Sequence, residues 1–569
     1  MDFGDITLYM LGESGAAAQD NLCSGCRVAG ALCAATKLDM KEVMNACFPI
    51  CWMPGLRSGL RCSALTLLAF LVACGGGANT PSGTDSAVGT TPPVSVPLAS
   101  AGTGAACTLP ALPGRPNDAL DVRSFGAIPD DGLDDTLAIQ SAIRALAPGQ
   151  WLVFPAGVYQ HDRRLDVRTP RVVLWAEGAT LHATNPDDQA VMLGADGVSI
   201  YNFTLTAVTG VRLYAPWHAR IAIYDSAQRG VPLLNNVVRG NRVVNGGAAG
   251  SATANSASAA GIYVEFADGF TVMGNEVRRS LADGIHITGG ARNGRVLLNS
   301  VQETGDDGVA TVSYMGQGDW RSDSAASLAA ALDSARDRQL VRNILVADND
   351  IRGSYFGRGI SVVGGKDVII RNNRVSDTAL AAGILVAREA SFVTWGVDNV
   401  LIDSNTVIQV QTMPPSYTPV GWDLSLARTG HGGVEIHSSV FDDERQITSL
   451  AAALAVQRIQ VTRNTVADTW AAGVRVGTGT GETFLLRGVS SRGQPVARSM
   501  SGGRVTGVEV SSLTTLRVGQ EPVLAAAATP SADQPFCQAV TEDGVAAVPL
   551  FCSGPRPSEL RFERAPTCP

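Results

Sequence analysis

Phe270-Thr-Val-Met-Gly-Asn275-Glu-Val277 is followed, 24 residues on, by Gly294-Arg-Val-Leu-Leu-Asn299-Ser-Val301. The form returns in Ile344-Leu-Val-Ala-Asp-Asn349-Asp-Ile351 and, 24 residues later, in Asp367-Val-Ile-Ile-Arg-Asn-Asn373-Arg-Val375. Ile459-Gln-Val-Thr-Arg-Asn464-Thr-Val466 keeps it again. Each copy is trailed by a glycine and a second short apolar run: Gly284-Ile-His-Ile287, Gly308-Val-Ala-Thr311, Gly359-Ile-Ser-Val362, Gly383-Ile-Leu-Val386 and Gly473-Val-Arg-Val476. Alternating Val and Ile make period-two strands with one buried face. No helix-length periodic segment separates them. Short strands, Asn at turns and Gly at bends in a 24-residue unit predict an all-β fold: a single-stranded, right-handed parallel β-helix. Its coils stack apolar side chains inward and ladder Asn along the axis. A leucine-rich repeat has its Leu positions elsewhere.

Interruptions of the period mark loops. From Gly308 to Gly359 is 51 residues, and the Ala-rich stretch within 315–340 reads as a short helix on a loop. Further insertions occupy 247–259 and 411–433, the latter with Tyr417 and Trp422. Long loops of a solenoid gather on the binding face, so Trp320, Trp395, Tyr417 and Trp422 are candidates for stacking on sugars, with loop packing the alternative.

The chain has 569 residues, 45% hydrophobic and 17% charged, with net charge −8 and 62 Gly. No basic block is present, which argues against nucleic acid as a partner. Six of its eleven cysteines precede residue 63. Arg57 and Arg61, the apolar run Ala64–Ala73 and Leu71-Val-Ala-Cys74 resemble a bacterial lipoprotein signal, too short to span a bilayer. That resemblance implies export, cleavage before Cys74, lipidation of its sulfur and a place in the cell envelope, at the outer membrane, or else outside the cell. Residues 1–52 then read as a gene-model extension, 53–73 as the signal peptide and 74–118 as a flexible tether. Residues 119–480 are assigned to the β-helix and 481–569 to final strands and a disulfide-tied cap. Cys107, Cys537, Cys552 and Cys568 allow three pairings, of which Cys537–Cys552 with Cys107–Cys568 is preferred. A monomer is expected.

Entry to the β-helix reads as a strand, a polar turn, an amphipathic helix capped by Asp135 or Thr136, and the strand Val153–Tyr159. Such a helix covers the open apolar end of a solenoid. The carboxylates Asp130, Asp131, Asp134 and Asp135 read as turn and capping groups rather than calcium ligands. The pattern resembles the N-terminal cap of the pectate-lyase superfamily, and that resemblance covers about 119–480.

Carboxylates also concentrate in the repeat itself. Asp283 precedes Gly284, and Asp307 precedes Gly308 one coil later, so the two should stack about 5 Å apart with Asp306 beside them. Like charges that close raise at least one pKa, which holds an acid and a base together near neutrality. Asp283-Gly and Thr304-Gly-Asp-Asp-Gly308 resemble the catalytic region of β-helical glycoside hydrolases of families 28 (polygalacturonases) and 87 (α-1,3-glucanases and mycodextranases). The resemblance implies inverting hydrolysis of an α-glucan or pectin-like chain, with Asp307 as acid and Asp283 and Asp306 positioning water as bases. Polygalacturonases carry Gly-His-Gly on the next coil, where this chain has Gly357-Arg358-Gly359, so the uronate-recognising His is missing. His286, Arg358 and Arg388, with Trp320 and Trp422, are the candidate substrate-binding residues.

Two other readings share the scaffold. As a lyase or epimerase the three aspartates would bind Ca²⁺, and Arg358 or His286 would take the proton; the hydrolase needs no cofactor. As a carbohydrate-binding surface protein, the aspartates would only cap turns. His431, Glu435 and His437 have a spacing that could ligate a metal, but a solvated strand face is the preferred reading, and no metal site is assigned.

Overall fold

The computed structural model describes residues 106–244, 257–413, 428–477, 484–490, 492–526, 537–539, 550–552 and 567–568. Cys74 and every boundary read before residue 106 lie outside them, as do Tyr417 and Trp422.

The repeat folds as a right-handed parallel β-helix. Equivalent strands of successive coils pair in parallel, so Val238, Val272, Val296, Val346, Ile370, Ile402, Val461 and Val510 form one column in register. All eight are fully buried. Each such side chain contributes about 1.5–3 kcal/mol by leaving water. A second parallel sheet runs beside the first and carries the strands that follow the glycines, among them Ile262–Glu265, Ile285–Thr288, Val309–Val312, Ile360–Val363, Ile384–Arg388, Val434–Phe441 and Val474–Gly477.

The asparagines form a continuous ladder: Asn241, Asn275, Asn299, Asn349, Asn373, Asn405 and Asn464. Each Oδ1 accepts both the backbone N–H and the side-chain Nδ2 of the preceding rung, as Asn349 does from Asn299 at 2.9 Å each. Asn241 and Asn405 are rungs beyond those read from the sequence.

Glycine has a steric role on the second bend. A Cβ on Gly284 would sit 2.5 Å from the Gly308 carbonyl oxygen, and one on Gly308 would sit 2.6 Å from that of Gly359. Coils approach too closely there for any side chain.

The helix Thr136–Ala145 lays Ile139, Ala142 and Ile143 over the first coil. Its cap differs from expectation: the Asp134 carboxylate accepts from the Thr136 N–H at 3.0 Å, while Asp135 accepts from Ile128 at 2.8 Å. Asp130 and Asp131 likewise take backbone N–H groups of Val158 and Leu133, which is the turn chemistry expected of them.

Coil register continues past residue 480, through Val505–Ser511, Thr514–Val518 and Val523–Ala526, so one further coil follows the expected boundary. Outside the coils a second apolar cluster gathers Trp320, Trp395, Phe441, Leu450 and Leu486 under the helices Ala325–Gln339 and Thr448–Ala453. A disulfide joins Cys107 to Cys568. The backbones of Cys537 and Cys552 are register partners in an antiparallel pair; their side chains lie outside the described ones. Among the described residues no helix is long and apolar enough to cross a membrane.

Candidate active site

The bend glycines align Asp283, Asp307 and Arg358 on successive coils, each one residue before its glycine. Two residues after the glycine, on the outward face of the strands, stand Tyr263, His286, Ala310, Ser361, Leu385, Glu435 and Arg475 in one row. Neighbouring strands are about 4.8 Å apart, so these two columns form a strip along the helix axis.

On that strip Asp283, Asp306 and Asp307 converge, with one oxygen of each within 4.8 Å of the others. Asp307 forms the floor, 4% exposed. Its Oδ1 accepts the Arg358 N–H at 2.6 Å, and its Oδ2 accepts the Ser361 hydroxyl. Burial pushes its pKa up to about 7, with Asp306 and Asp283 pushing the same way against the opposing Arg358 guanidinium. Asp283 is held on both oxygens, by the Asp307 N–H at 3.0 Å and by His286 Nδ1 at 2.6 Å. Asp306 is ion-paired with Arg212. Gly357 lets the chain pass beside both carboxylates, since a Cβ there would lie 2.3 Å from an oxygen of each.

Arg358 is ion-paired with Glu389. Tyr263 stacks on His286, with ring centroids 5.2 Å apart and planes at 17°, and donates to Glu265 at 2.9 Å. Tyr314 lies in the field of Asp283, Asp306, Asp307 and Glu389; burial and these carboxylates raise its pKa.

The structure thus brings together Asp283, Asp306, Asp307, His286 and Arg358. It does not bring Arg388 or Trp320 to the site. Arg388 is fully buried, donating to Glu444 at 2.8 Å and to the Thr394 and Ser439 carbonyls. Trp320 is 1% exposed and packs near Phe441 in the outer apolar cluster. Neither can touch a substrate as placed, and Arg388 is replaced by its neighbour Glu389. Ser361, Glu389, Arg212, Tyr263 and Tyr314 are site residues that the sequence reading did not select. Ser361 carried a signal: it follows Gly359 as His286 follows Gly284.

Further along the same face lies a second cluster. Glu435 is fully buried and accepts from Arg475 Nε at 2.8 Å, His437 Nδ1 at 3.0 Å and the Gly432 N–H at 3.0 Å. These partners hold its pKa below the usual carboxylate range despite burial. His431, Glu435 and His437 offer ligand atoms within 4.8 Å of one another, but Glu435 is already neutralised by Arg475.

No curated protein matches the chain by sequence. Among solved structures it is similar to the A-module of a mannuronan C-5 epimerase from Azotobacter vinelandii, at 15% identity over 72% of this chain and 100% of that one, with a TM-score of 0.42. It is similar to the catalytic unit of a GH87 α-1,3-glucanase from Streptomyces thermodiastaticus, at 16% identity over 75% and 68%, TM-score 0.41. A GH87 α-1,3-glucanase catalytic domain in complex with tetrasaccharides aligns at 15% identity over 73% and 67%, TM-score 0.46. The family model that matches residues 119–406 spans half of the chain, which therefore belongs to the rhamnogalacturonase A/epimerase, pectate lyase-like family.

Proposed function

We propose that this protein hydrolyses the glycosidic bonds of a polysaccharide laid along the outward strip. The observation that carries the reading is the convergence of three carboxylates of which one, Asp307, titrates near neutrality. With its pKa pushed up to about 7, Asp307 keeps a proton in a substantial fraction of molecules at neutrality and supplies it to the leaving oxygen. Asp283, oriented by His286, takes the proton of the attacking water. Asp306, paired with Arg212, places negative charge against the oxocarbenium-like transition state. The nearest oxygens, within 4.8 Å, are closer than the roughly 6.5–9.5 Å of a two-carboxylate inverting site. Inversion therefore requires the water to sit beside Asp283 and Asp306 together, and the anomer first released distinguishes it from retention.

Calcium fits the patch poorly. Asp283 and Asp307 accept protein donors on both oxygens, and Asp306 on one. A Ca²⁺ ion takes about 6–8 oxygen ligands and would have to displace these donors with an arginine on either side. The lyase or epimerase alternative rests on the His286–Asp283 pair, in which His286 would act as the base.

The test is reducing-end release across a panel of polysaccharides, with and without EDTA. Release unaffected by EDTA is expected. Unsaturated uronide products would move the assignment to a lyase, and binding without any product to a carbohydrate-binding protein. Export and anchoring through Cys74 belong to the same proposal: metabolic labelling with a fatty acid should mark the wild type and be lost in Cys74→Ser.

A further inference from the structure

We infer that Glu389 is a positioning residue for the acid: it draws the Arg358 guanidinium away from the Asp307 carboxyl, so that Asp307 can keep the proton it has to deliver. This rests on Asp307 being the acid of the proposed hydrolysis. Arg358 lies one coil beyond Asp307, and its backbone N–H donates to Asp307 Oδ1 at 2.6 Å. Its guanidinium makes no such bond. Nη1 stops 3.9 Å from that same oxygen, while Nη2 is bonded to Glu389 Oε1. Nε is buried with no hydrogen-bond partner among the described residues. An arginine set against an aspartate lowers the carboxyl pKa by about 1–3. A guanidinium closed onto Asp307 would therefore leave it mostly ionised at neutrality.

The backbone holds Glu389 in place for this. Glu389 follows the strand Ile384–Arg388, where alternation turns Arg388 inward and Glu389 outward. Its N–H donates to Thr394 Oγ1 at 3.0 Å, and the N–H of Ala390 donates to Ser439 Oγ at 2.9 Å. The buried Arg388 guanidinium anchors the same turn through the Thr394 carbonyl at 3.1 Å. The Arg358 and Glu389 side chains are each 12% exposed, so water screens the pair only weakly. Burial opposes the charge on Arg358, and Glu389 sustains it ahead of Asp307 and Asp306. On Asp307 burial raises the pKa, and Arg358 is the charge that opposes this most. The other titratable or charged groups around Asp307, among the described residues, are Asp283 with His286, Asp306 with Arg212, and Tyr314. Changes at Glu389 and Arg358 leave all of these in the chain.

The experiment records kcat against pH for the full chain as wild type, Glu389→Gln and Arg358→Gln, on the polysaccharide cut best in the panel. Glu389→Gln removes an anion and frees a cation beside Asp307, so the alkaline limb should move down by about one pH unit. Arg358→Gln removes the cation but keeps the backbone N–H, so the limb should move up by about one pH unit. Loss of packing alone lowers activity without opposite shifts. Limbs that stay at the wild-type pH, or that move the same way, would overturn the inference and leave the hydrolase reading intact. Thermal unfolding reads the same proton without substrate. The folded pKa of Asp307 lies above the unfolded one, so its contribution to stability is lost as pH rises through the folded value. Measured against the same chain carrying Asp307→Asn, that loss should set in at lower pH in Glu389→Gln and at higher pH in Arg358→Gln. Should no polymer be cut, the hydrolase reading falls and these stability shifts decide alone. Their presence keeps Glu389 as the group that sets the Asp307 proton, and their absence overturns it.

Discussion

Asp307 is less exposed than Asp283 and Asp306, and its chemistry follows from that. Burial favours the protonated form, so the folded chain binds a proton there between about pH 4 and 7 that the unfolded chain has released. The contribution of this group to stability is full below about pH 4 and is lost as pH rises through 7. Asp307→Asn should therefore be more resistant to thermal unfolding at pH 7 than the wild type, with the difference shrinking toward pH 4; scanning calorimetry at several pH values checks it. The same side chain predicts an alkaline limb near pH 7 in kcat that the variant lacks. At this scale Asp283, Asp306 and Asp307 were legible because Asp-Gly recurs at the coil period. Arg388 was misread although strand alternation puts it on the side of Ile384 and Val386, facing in, with Glu389 facing out. Arg212 comes from a loop outside the repeat, and no local pattern could have paired it with Asp306 across 94 residues.

Coil-to-coil contacts decide what the elements tolerate. Gly308→Ala would place a Cβ 2.4 Å from Ile351 and 2.6 Å from the Gly359 carbonyl, so the bend must open. A loss of more than about 3 kcal/mol is expected in denaturant unfolding, with the site disordered beside it. Asn349→Ala leaves the Asn299 N–H and Nδ2 without their shared acceptor in a buried bend. About 2–4 kcal/mol should be lost, and Asn349→Asp should lose at least as much, because its second oxygen would face the Val296, Ala347 and Asn373 oxygens to which Asn349 Nδ2 donates. The rungs were visible in the sequence as Asn before the second strand. Asn405 was obscured because the period is broken on both sides of it, 32 residues from Asn373 and 59 from Asn464 instead of 24.

Across the whole molecule, each coil is stabilised by its neighbours, so ends and edges are the weak points. The helix Thr136–Ala145 closes one end. Cys107 and Cys568 clamp chain segments 461 residues apart over the outer apolar patch of Met273, Leu297, Leu345 and Ile369. This clamp ties surface segments rather than coils. Cys107→Ser should therefore expose the patch to dye and protease while moving the main unfolding transition by about 5 °C or less. Length and composition allowed several domains; the 24-residue period is what reduced the described chain to one solenoid. The outer cluster of Trp320, Trp395 and Phe441 was not legible, because its parts come from separate insertions that meet only in the fold.

The central claim is that the three aspartates cut a glycan. It is tested most directly by reducing-end release from the polysaccharide panel by wild type and Asp307→Asn, each shown to be folded. The account predicts release by the wild type and a fall in kcat of about 10²–10⁴-fold in the variant. Equal turnover by the two proteins would contradict it.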